Sequence, residues 1–158
     1  TSKMNLYIVP FTDIQLQIRD NCPEEHMTLI MRRFMMRITE KIARQNGSKA
    51  LITGECVGQV ASQTLSALDV TNAVIDMPVL QPLIGMDKIE VINRAEQIGT
   101  YETSILPYED CCTVFTPKHP TINPKRSTIE RTESVLDIEK LEAEALAGVE
   151  KIEIYPEL

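Results

Sequence analysis

The chain has 158 residues with a formal net charge of -7, and 43% of its residues are hydrophobic. This length suits one domain with a hydrophobic core. The negative charge argues against a self-sufficient nucleic-acid-binding protein, because phosphate contacts need a concentrated positive surface. We find neither an apolar run of about 20 residues nor a signal segment at the start, so we expect no membrane span. We expect mostly reduced thiols in a cytoplasmic protein, since a chain of this size folds without disulfides.

The first third of the chain predicts a strand, a helix and a second strand. Residues 5–11, NLYIVPF, are typical of a buried strand that Pro10 ends. Pro23 suits the start of a helix, and apolar residues then recur every three or four positions until Gly47, the expected stop. The segment KALITG at 49–54 predicts a second short strand.

The rest of the chain continues the alternation of helices and strands. After a glycine-containing turn and a helix, residues 72–84 contain a third predicted strand, and residues 86–100 predict a helix that Gly99 ends. A charged helical stretch is expected at roughly 127–147, and KIEIY at 151–155 is a candidate last strand. Alternating strands and helices imply an α/β fold with an open parallel sheet and flanking helices.

The segment TGECVGQVASQT, residues 53–64, lies where a predicted strand runs into a helix. Ligands bind at this end of the strands in open parallel sheets. Gly54 and Gly58 allow close approach of the backbone to a ligand, and Gln63 is one of several side chains there that can hydrogen-bond it. The segment matches neither a Walker loop nor GxGxxG, so an ordinary strand-to-helix turn remains the alternative.

Basic side chains recur along the predicted helix that contains MRRFMMR at 31–37. Arg32 belongs to this run, and arginine suits phosphate binding because its planar guanidinium donates several hydrogen bonds. A basic stripe at helical spacing comprises Arg33, Arg37, Lys41 and Arg44. The alternative is a solvated charged face, which is the commoner meaning of such a run.

Lys88 follows Asp87 at the start of the predicted helix 86–100. Asp87 can cap the positive helix end, but a lysine is unfavourable there unless an anion binds nearby. An exposed lysine without a ligand is the alternative.

Two adjacent cysteines, Cys111 and Cys112, lie in LPYEDCCTVFTPKHP at 106–120, which has no helical or strand period. Their spacing is poor for zinc, which prefers separated ligand pairs. A thiol near Lys118 and His119 can have a lowered pKa and act as a nucleophile or redox group, whereas buried small side chains are the alternative. The basic window that follows either contacts an RNA backbone or forms a surface loop.

Four segments in order carry a resemblance to a known family: TLIMRRFMMRITEKIA, ALITGECVGQVASQTL, PLIGMDKIEVINRAEQIGTYE and LPYEDCCTVFTPKHP. They resemble the C-terminal part of the tRNA 4-thiouridine synthetases, which are tRNA sulfurtransferases also tied to thiamine biosynthesis. The resemblance implies an adenine nucleotide alpha hydrolase-like (Rossmann-like) domain of the PP-loop ATP pyrophosphatase type, incomplete at its N-terminus. Residues 1–130 would be the partial domain lacking its PP-loop strand, and residues 131–158 a helical tail with a possible short strand of the same domain.

The resemblance also implies roles for single residues. Arg32, Gly54 and Gln63 fall on positions that contact ATP, and Lys88 falls on an essential lysine that binds phosphate. Cys112 falls on the catalytic cysteine, which carries sulfur or resolves a disulfide, while the neighbouring cysteine occupies a more variable position. The chain itself is expected to supply no metal ligand, and Mg²⁺ would accompany ATP.

The implied reaction adenylates a uridine of tRNA and replaces its oxygen with sulfur from a cysteine desulfurase, giving 4-thiouridine; the sulfur also serves thiamine thiazole synthesis. The family's SGGxDS motif and its N-terminal tRNA-gripping domains do not occur in this sequence. We therefore expect a fragment that is inactive alone and forms a homodimer, since a missing strand leaves sheet edges exposed. The alternatives are a tRNA 2-thiouridylase or a noncatalytic nucleotide- or protein-binding module.

Overall fold

The computed structural model describes residues 3–108 and 120–155. Short 3₁₀ turns at Glu24–His26 and Ala61–Gln63 precede two of the helices. The strands and helices follow in the order β1 (Met4–Ile8), α1 (Thr12–Asn21), α2 (Met27–Gln45), β2 (Leu51–Ile52), α3 (Leu65–Asn72), β3 (Val79–Leu80), α4 (Lys88–Gln97), α5 (Tyr101–Ser104), α6 (Arg126–Glu133), α7 (Ile138–Ala147) and β4 (Glu150–Ile154).

Helix α2 is the centre of the core and packs against α1, α3, α6 and α7. Its apolar side chains recur at helical spacing, and Ile30, Met31 and Phe34 are almost completely buried. The predicted helix is confirmed. At about 3.6 residues per turn, these apolar side chains form one stripe that faces the core. Gly47 ends it in the left-handed region with a φ of 72°, which costs glycine little because it has no Cβ.

The parallel sheet consists of β2 and β3, with Leu51 opposite Val79 and Ile52 opposite Leu80. Leu51 is buried against the α2 side, whereas Ile52 and Leu80 are 72% and 53% exposed on the other face. The two strands run in the same direction, so their carboxyl ends meet at one edge of the sheet. The α/β class with a parallel sheet and flanking helices is confirmed, and residues 53–55 lie at the edge where such folds bind ligands.

The first predicted strand forms, but the prediction that it is buried was wrong. β1 is a strand, but it pairs antiparallel with β4, and its residue Leu6 lies opposite Ile152. Both side chains are exposed, because a two-stranded antiparallel ribbon has one face left to solvent. The predicted last strand at KIEIY is confirmed as β4. It pairs with β1, so β1 is not part of the parallel sheet of β2 and β3.

The charged stretch expected as one helix at 127–147 is two helices, α6 and α7. The break lies before Asp137, whose Oδ1 accepts a hydrogen bond from Lys140 N at 3.2 Å and so caps α7. Ile129 and Leu141 of these helices belong to the same core cluster as the α2 side chains. No helix in the two described ranges has both the length and the apolarity needed to cross a membrane.

Candidate nucleotide-binding site

A cavity of about 340 Å³ lies at the carboxyl end of β2. One wall is a face of α2, and the other is the end of β2 with the residues that follow it. Its lining combines apolar side chains with a few polar ones, which is the usual composition of a small-molecule site. The lining residues are Arg32, Met35, Met36, Thr39, Leu51, Ile52, Thr53, Gly54 and Glu55.

Hydrogen bonds within residues 56–63 fix the loop that follows the cavity. Gly58 has a φ of 80° and donates its N–H to Gln63 O at 3.0 Å. The side chain of Gln63 accepts a hydrogen bond from Cys56 N, also at 3.0 Å. Val57 N donates to Ile84 O at 3.0 Å, which attaches the loop to the segment between β3 and α4. Gln63 therefore closes the loop and is not among the residues that line the cavity.

The start of α3 holds a distant part of the chain beside this loop. Thr64 caps α3 by accepting from Ala67 N at 3.2 Å, and its hydroxyl donates to Ile122 O at 2.8 Å. Ser66 Oγ donates to Asn123 Oδ1 at 2.7 Å. The segment around residues 120–124 is thus fixed to the helix that follows the candidate site.

Arg32 and Glu55 form an ion pair at the cavity, between Arg32 Nη2 and Glu55 Oε1. The other carboxylate oxygen of Glu55 accepts hydrogen bonds from Thr53 Oγ1 and Gln81 Nε2, both at 2.6 Å. The Glu55 side chain is only 7% exposed, whereas Arg32 keeps 22% of its surface accessible at the rim. A buried carboxylate stays charged only when it is paired and hydrogen-bonded, and all of these donors serve that purpose.

The basic stripe on α2 divides into two parts. Arg33 and Arg37 are only 4% and 16% exposed, which does not suit a phosphate site. Lys41 and Arg44 are 48% and 57% exposed, as the alternative of a solvated face expects. Arg33 and Arg37 both donate to Glu133, at 2.9 Å and 2.6 Å. Lys41 Nζ lies 2.5 Å from Glu142 Oε2, and Arg44 pairs with Glu40 one turn earlier on the helix. Arg33, Arg37 and Lys41 stabilise the packing of α6 and α7 on α2, because carboxylates of those two helices lie against them.

The charge state of Glu133 follows from this arrangement. Burial by itself would raise the pKa of Glu133, but hydrogen bonds from Arg37 and from Arg33 outweigh burial and lower the pKa below its ordinary value. Glu133 is therefore a carboxylate in the folded protein at neutral pH. Glu133 accepts hydrogen bonds from both Arg33 and Arg37, so it neutralises their charge inside the core and they are not placed to bind a ligand.

Lys88 is the first residue of α4 and is exposed. The capping predicted for Asp87 is confirmed: Asp87 Oδ1 accepts from Glu90 N, and Asp87 N donates to Glu90 Oε2, each at 2.8 Å. Asp87 and Glu90 thus satisfy the helix start with their own side chains, and Lys88 extends from it as a cation. It is not among the residues that line the 340 Å³ cavity.

Cys111 and Cys112 lie outside the described residues, as do Lys118 and His119. The other two cysteines, Cys22 and Cys56, are both buried and not disulfide-bonded. Burial, and after it the negative charge of Glu133, raises the pKa of the Cys22 thiol, which makes it a poor nucleophile. In the part of the chain that the structure describes, no three His, Cys, Asp or Glu side chains are placed to hold a metal ion.

The structure brings together Arg32 and Gly54, which the sequence singled out, and adds residues that it did not. These are Thr53 and Glu55, which lie within the segment 53–64, and Gln81, which directly follows β3. A carboxylate directly after a strand and a glycine, opposite an arginine on the preceding helix, is the signal that points to Glu55. Met35 and Met36 of α2 also line the cavity.

A parallel β-sheet with flanking helices and a cavity at the carboxyl end of a strand places the chain in the Rossmann-like class of α/β domains. The family model described as thiamine biosynthesis protein (ThiI) matches residues 1–138, and the chain belongs to this family. The resemblance to the 4-thiouridine synthetases is thereby confirmed.

Several relatives support this assignment. A probable tRNA sulfurtransferase of Acetivibrio thermocellus is 60% identical over 152 residues, which are 96% of this chain and 39% of the relative. One from Clostridium acetobutylicum is 56% identical over 152 residues, 96% of this chain and 40% of the relative. A crystal structure of a 4-thiouridine synthetase–RNA complex with bound ATP has a TM-score of 0.92 and 41% identity, over 98% of this chain and 40% of that one. The chain therefore spans about two fifths of the length of these relatives.

Proposed function

We propose that this chain is part of an ATP-dependent tRNA sulfurtransferase. The enzyme adenylates a uridine of tRNA, replaces its oxygen with sulfur to give 4-thiouridine, and supplies sulfur for thiamine thiazole synthesis. The observation that carries the proposal is a cavity lined by both Arg32 and Gly54, in a fold that matches a 4-thiouridine synthetase with bound ATP. The membership of the ThiI family supports the link to thiamine.

The cavity fits an adenine nucleotide. Met35, Met36 and Leu51 provide apolar surface for a flat base, and Arg32 provides planar donors at the rim. A Cβ built on Gly54 would have no atom within 4 Å, so this backbone borders open space that a ligand can enter. ATP bound there would supply the adenylyl group that activates the uridine oxygen, with pyrophosphate as the leaving group.

Two further residues act on the reacting groups in this proposal. Lys88, exposed at the positive end of α4, would bind phosphate oxygens and stabilise the negative charge that develops during adenylation. Cys112 would carry the persulfide sulfur or resolve the disulfide that forms after transfer. Mg²⁺ would be held mainly by the phosphates, since the described residues offer no cluster of ligands for it. We assign no step to the ion.

The proposal includes partners and a location. tRNA would be bound mainly by segments that this chain does not contain, a cysteine desulfurase would donate sulfur, and the protein would work in the cytoplasm as a homodimer. Within the described residues each sheet has only two strands, so every strand keeps one side without a neighbouring strand. Light scattering of the purified chain tests the dimer, and a monomeric mass contradicts it.

The reaction is tested with the complete gene product, ATP, Mg²⁺, unmodified tRNA, and a cysteine desulfurase with cysteine. We expect 4-thiouridine in the hydrolysed tRNA, detected by mass spectrometry. Replacing Cys112 with alanine is expected to abolish its formation while ATP binding persists, and Cys111→Ala is the matched control that has much less effect. If the wild-type protein forms no 4-thiouridine, the proposed function is wrong; if the two variants exchange their effects, the assignment to Cys112 is wrong.

A further inference from the structure

We propose that Glu55 is a positioning residue for nucleotide binding, which holds the guanidinium of Arg32 at the rim of the cavity. The inference rests on the proposed function, since it concerns the same cavity. Among the described residues that line the cavity, Glu55 is the only acidic one. An acidic side chain in the wall of a site for an anionic ligand needs a reason, because like charges repel.

The surroundings of Glu55 give that reason. Its carboxylate joins three separate segments: Arg32 of α2, Thr53 directly after β2, and Gln81 directly after β3. The side chains of Thr53 and Gln81 both donate to Oε2, which fixes the plane of the carboxylate and directs Oε1 toward Arg32. The negative charge of Glu55 is therefore paired with Arg32 within the cavity wall and does not face the ligand.

Arg33, the next residue of α2, shows how an arginine with a purely structural role differs from Arg32. Arg33 is 4% exposed and gives its hydrogen bonds to Glu133 and to the backbone oxygen of Val70, so it is enclosed by protein. Arg32 pairs with an equally buried carboxylate but keeps 22% of its side chain accessible at the cavity. A side chain that is held by an ion pair and still partly accessible at the cavity is arranged to receive a ligand with little further loss of side-chain freedom.

The consequence for binding is a preorganisation effect. Without the Glu55 charge, Arg32 would lose the ion pair that holds it at the rim, and more of its ordering would then have to accompany each binding event. Glu55→Gln is a specific probe. The amide oxygen can still accept from Thr53 and Gln81, and this orientation turns the amide NH₂ toward Arg32, which removes the attraction and adds a donor facing a donor.

The test is a double-mutant cycle on the complete gene product, with ATP affinity measured by isothermal titration calorimetry and folding checked by thermal melting. We expect Glu55→Gln to weaken ATP binding about tenfold or more, as displaced positioning groups do. In an Arg32→Met background, the same change is expected to have no further effect, because the group it positions is absent. The matched control is Glu142→Gln, another buried carboxylate paired with a cation of α2 but remote from the cavity lining; ATP affinity should stay within about twofold.

The inference is overturned if Glu55→Gln binds ATP as wild type does, if it weakens binding to the same extent with and without Arg32, or if Glu142→Gln weakens it equally. If Glu55→Gln does not fold, Gln81→Leu replaces it, because this change keeps the ion pair and removes one donor from Oε2. It should weaken ATP binding about threefold or more, and an unchanged affinity contradicts the inference. Failure of the wild-type protein to bind ATP instead contradicts the proposed function itself.

Discussion

Arg33 and Glu133 are one hundred residues apart in the chain, yet Arg33 Nη2 lies 2.9 Å from Glu133 Oε2 inside the core. Arg37 reaches the same carboxylate with two hydrogen bonds, at 2.6 Å and 2.7 Å. Through this carboxylate α6 is attached to the central helix α2, which also forms one wall of the candidate nucleotide site. The segment after residue 126 thus stabilises the element that carries Arg32.

Removing the Glu133 carboxylate should strongly destabilise the fold. We expect Glu133→Ala to lower the free energy of unfolding by about 3–5 kcal/mol, because Arg33 would lose its buried counter-ion and Arg37 would keep only its longer contact with Glu142, at 3.7 Å. Chemical denaturation followed by circular dichroism measures this. The control is Glu130→Ala on the same helix, which breaks an exposed pair with Arg126 and should leave the denaturation midpoint unchanged. Equal midpoints for the two variants would show that the buried network adds no stability.

The same carboxylate predicts how stability depends on pH. Burial opposes its charge, but the hydrogen bonds from Arg37 and Arg33 prevail and hold the pKa of Glu133 below its ordinary value of 4.5. Since the pKa is lower in the folded state than in the unfolded state, this stabilisation is complete above the ordinary value and is lost as the pH falls through the folded one. The free energy of unfolding should therefore fall more steeply in acid for wild type than for Glu133→Gln, and parallel curves contradict this.

Gly148 should not tolerate a side chain. A Cβ built there would lie 2.6 Å from Cγ of Pro10, which is closer than two carbon atoms can approach. We expect Gly148→Ala to destabilise the protein by about 1–3 kcal/mol through overpacking. The matched control is Gly85→Ala, where a Cβ would have no atom within 4 Å and the melting temperature should not fall. If both variants melt like the wild type, the contact between Gly148 and Pro10 is not rigid.

Lys88 should matter for activity and not for folding. It is exposed at the start of α4, where a positive charge is unfavourable, so Lys88→Met is expected to leave the melting temperature unchanged or slightly raised. The same variant of the complete gene product should form no detectable 4-thiouridine, because the proposed phosphate contact is lost. A variant with normal sulfur transfer means that Lys88 has no role in the reaction.

Local patterns predicted the elements that depend on neighbours in the chain. The apolar period of α2, the cap at Asp87 and the helix ends at Gly47 and Gly99 all follow from residues a few positions apart. Pairings between distant segments did not follow from such patterns. Nothing within residues 5–11 indicates that their partner is β4, so a buried strand was predicted where an exposed antiparallel ribbon forms.

The candidate site shows the same division. Arg32 and Gly54 were chosen because their segments resemble those of a known family, and the structure places both at one cavity. Arg33 and Arg37 had the same local character as Arg32, and only their pairing with Glu133 reveals a structural role. Glu55 was overlooked because its donors, Arg32 and Gln81, lie on other segments of the chain.

The central claim is that the cavity at the end of β2 holds ATP through Arg32. The most direct measurement is the ATP affinity of the complete gene product and of two neighbouring variants, Arg32→Met and Arg33→Met, by calorimetry. We predict that Arg32→Met weakens binding about tenfold or more, whereas Arg33→Met lowers the melting temperature and leaves the affinity within about twofold of wild type. Wild-type affinity in Arg32→Met would contradict the claim, as would equal losses of affinity in the two variants.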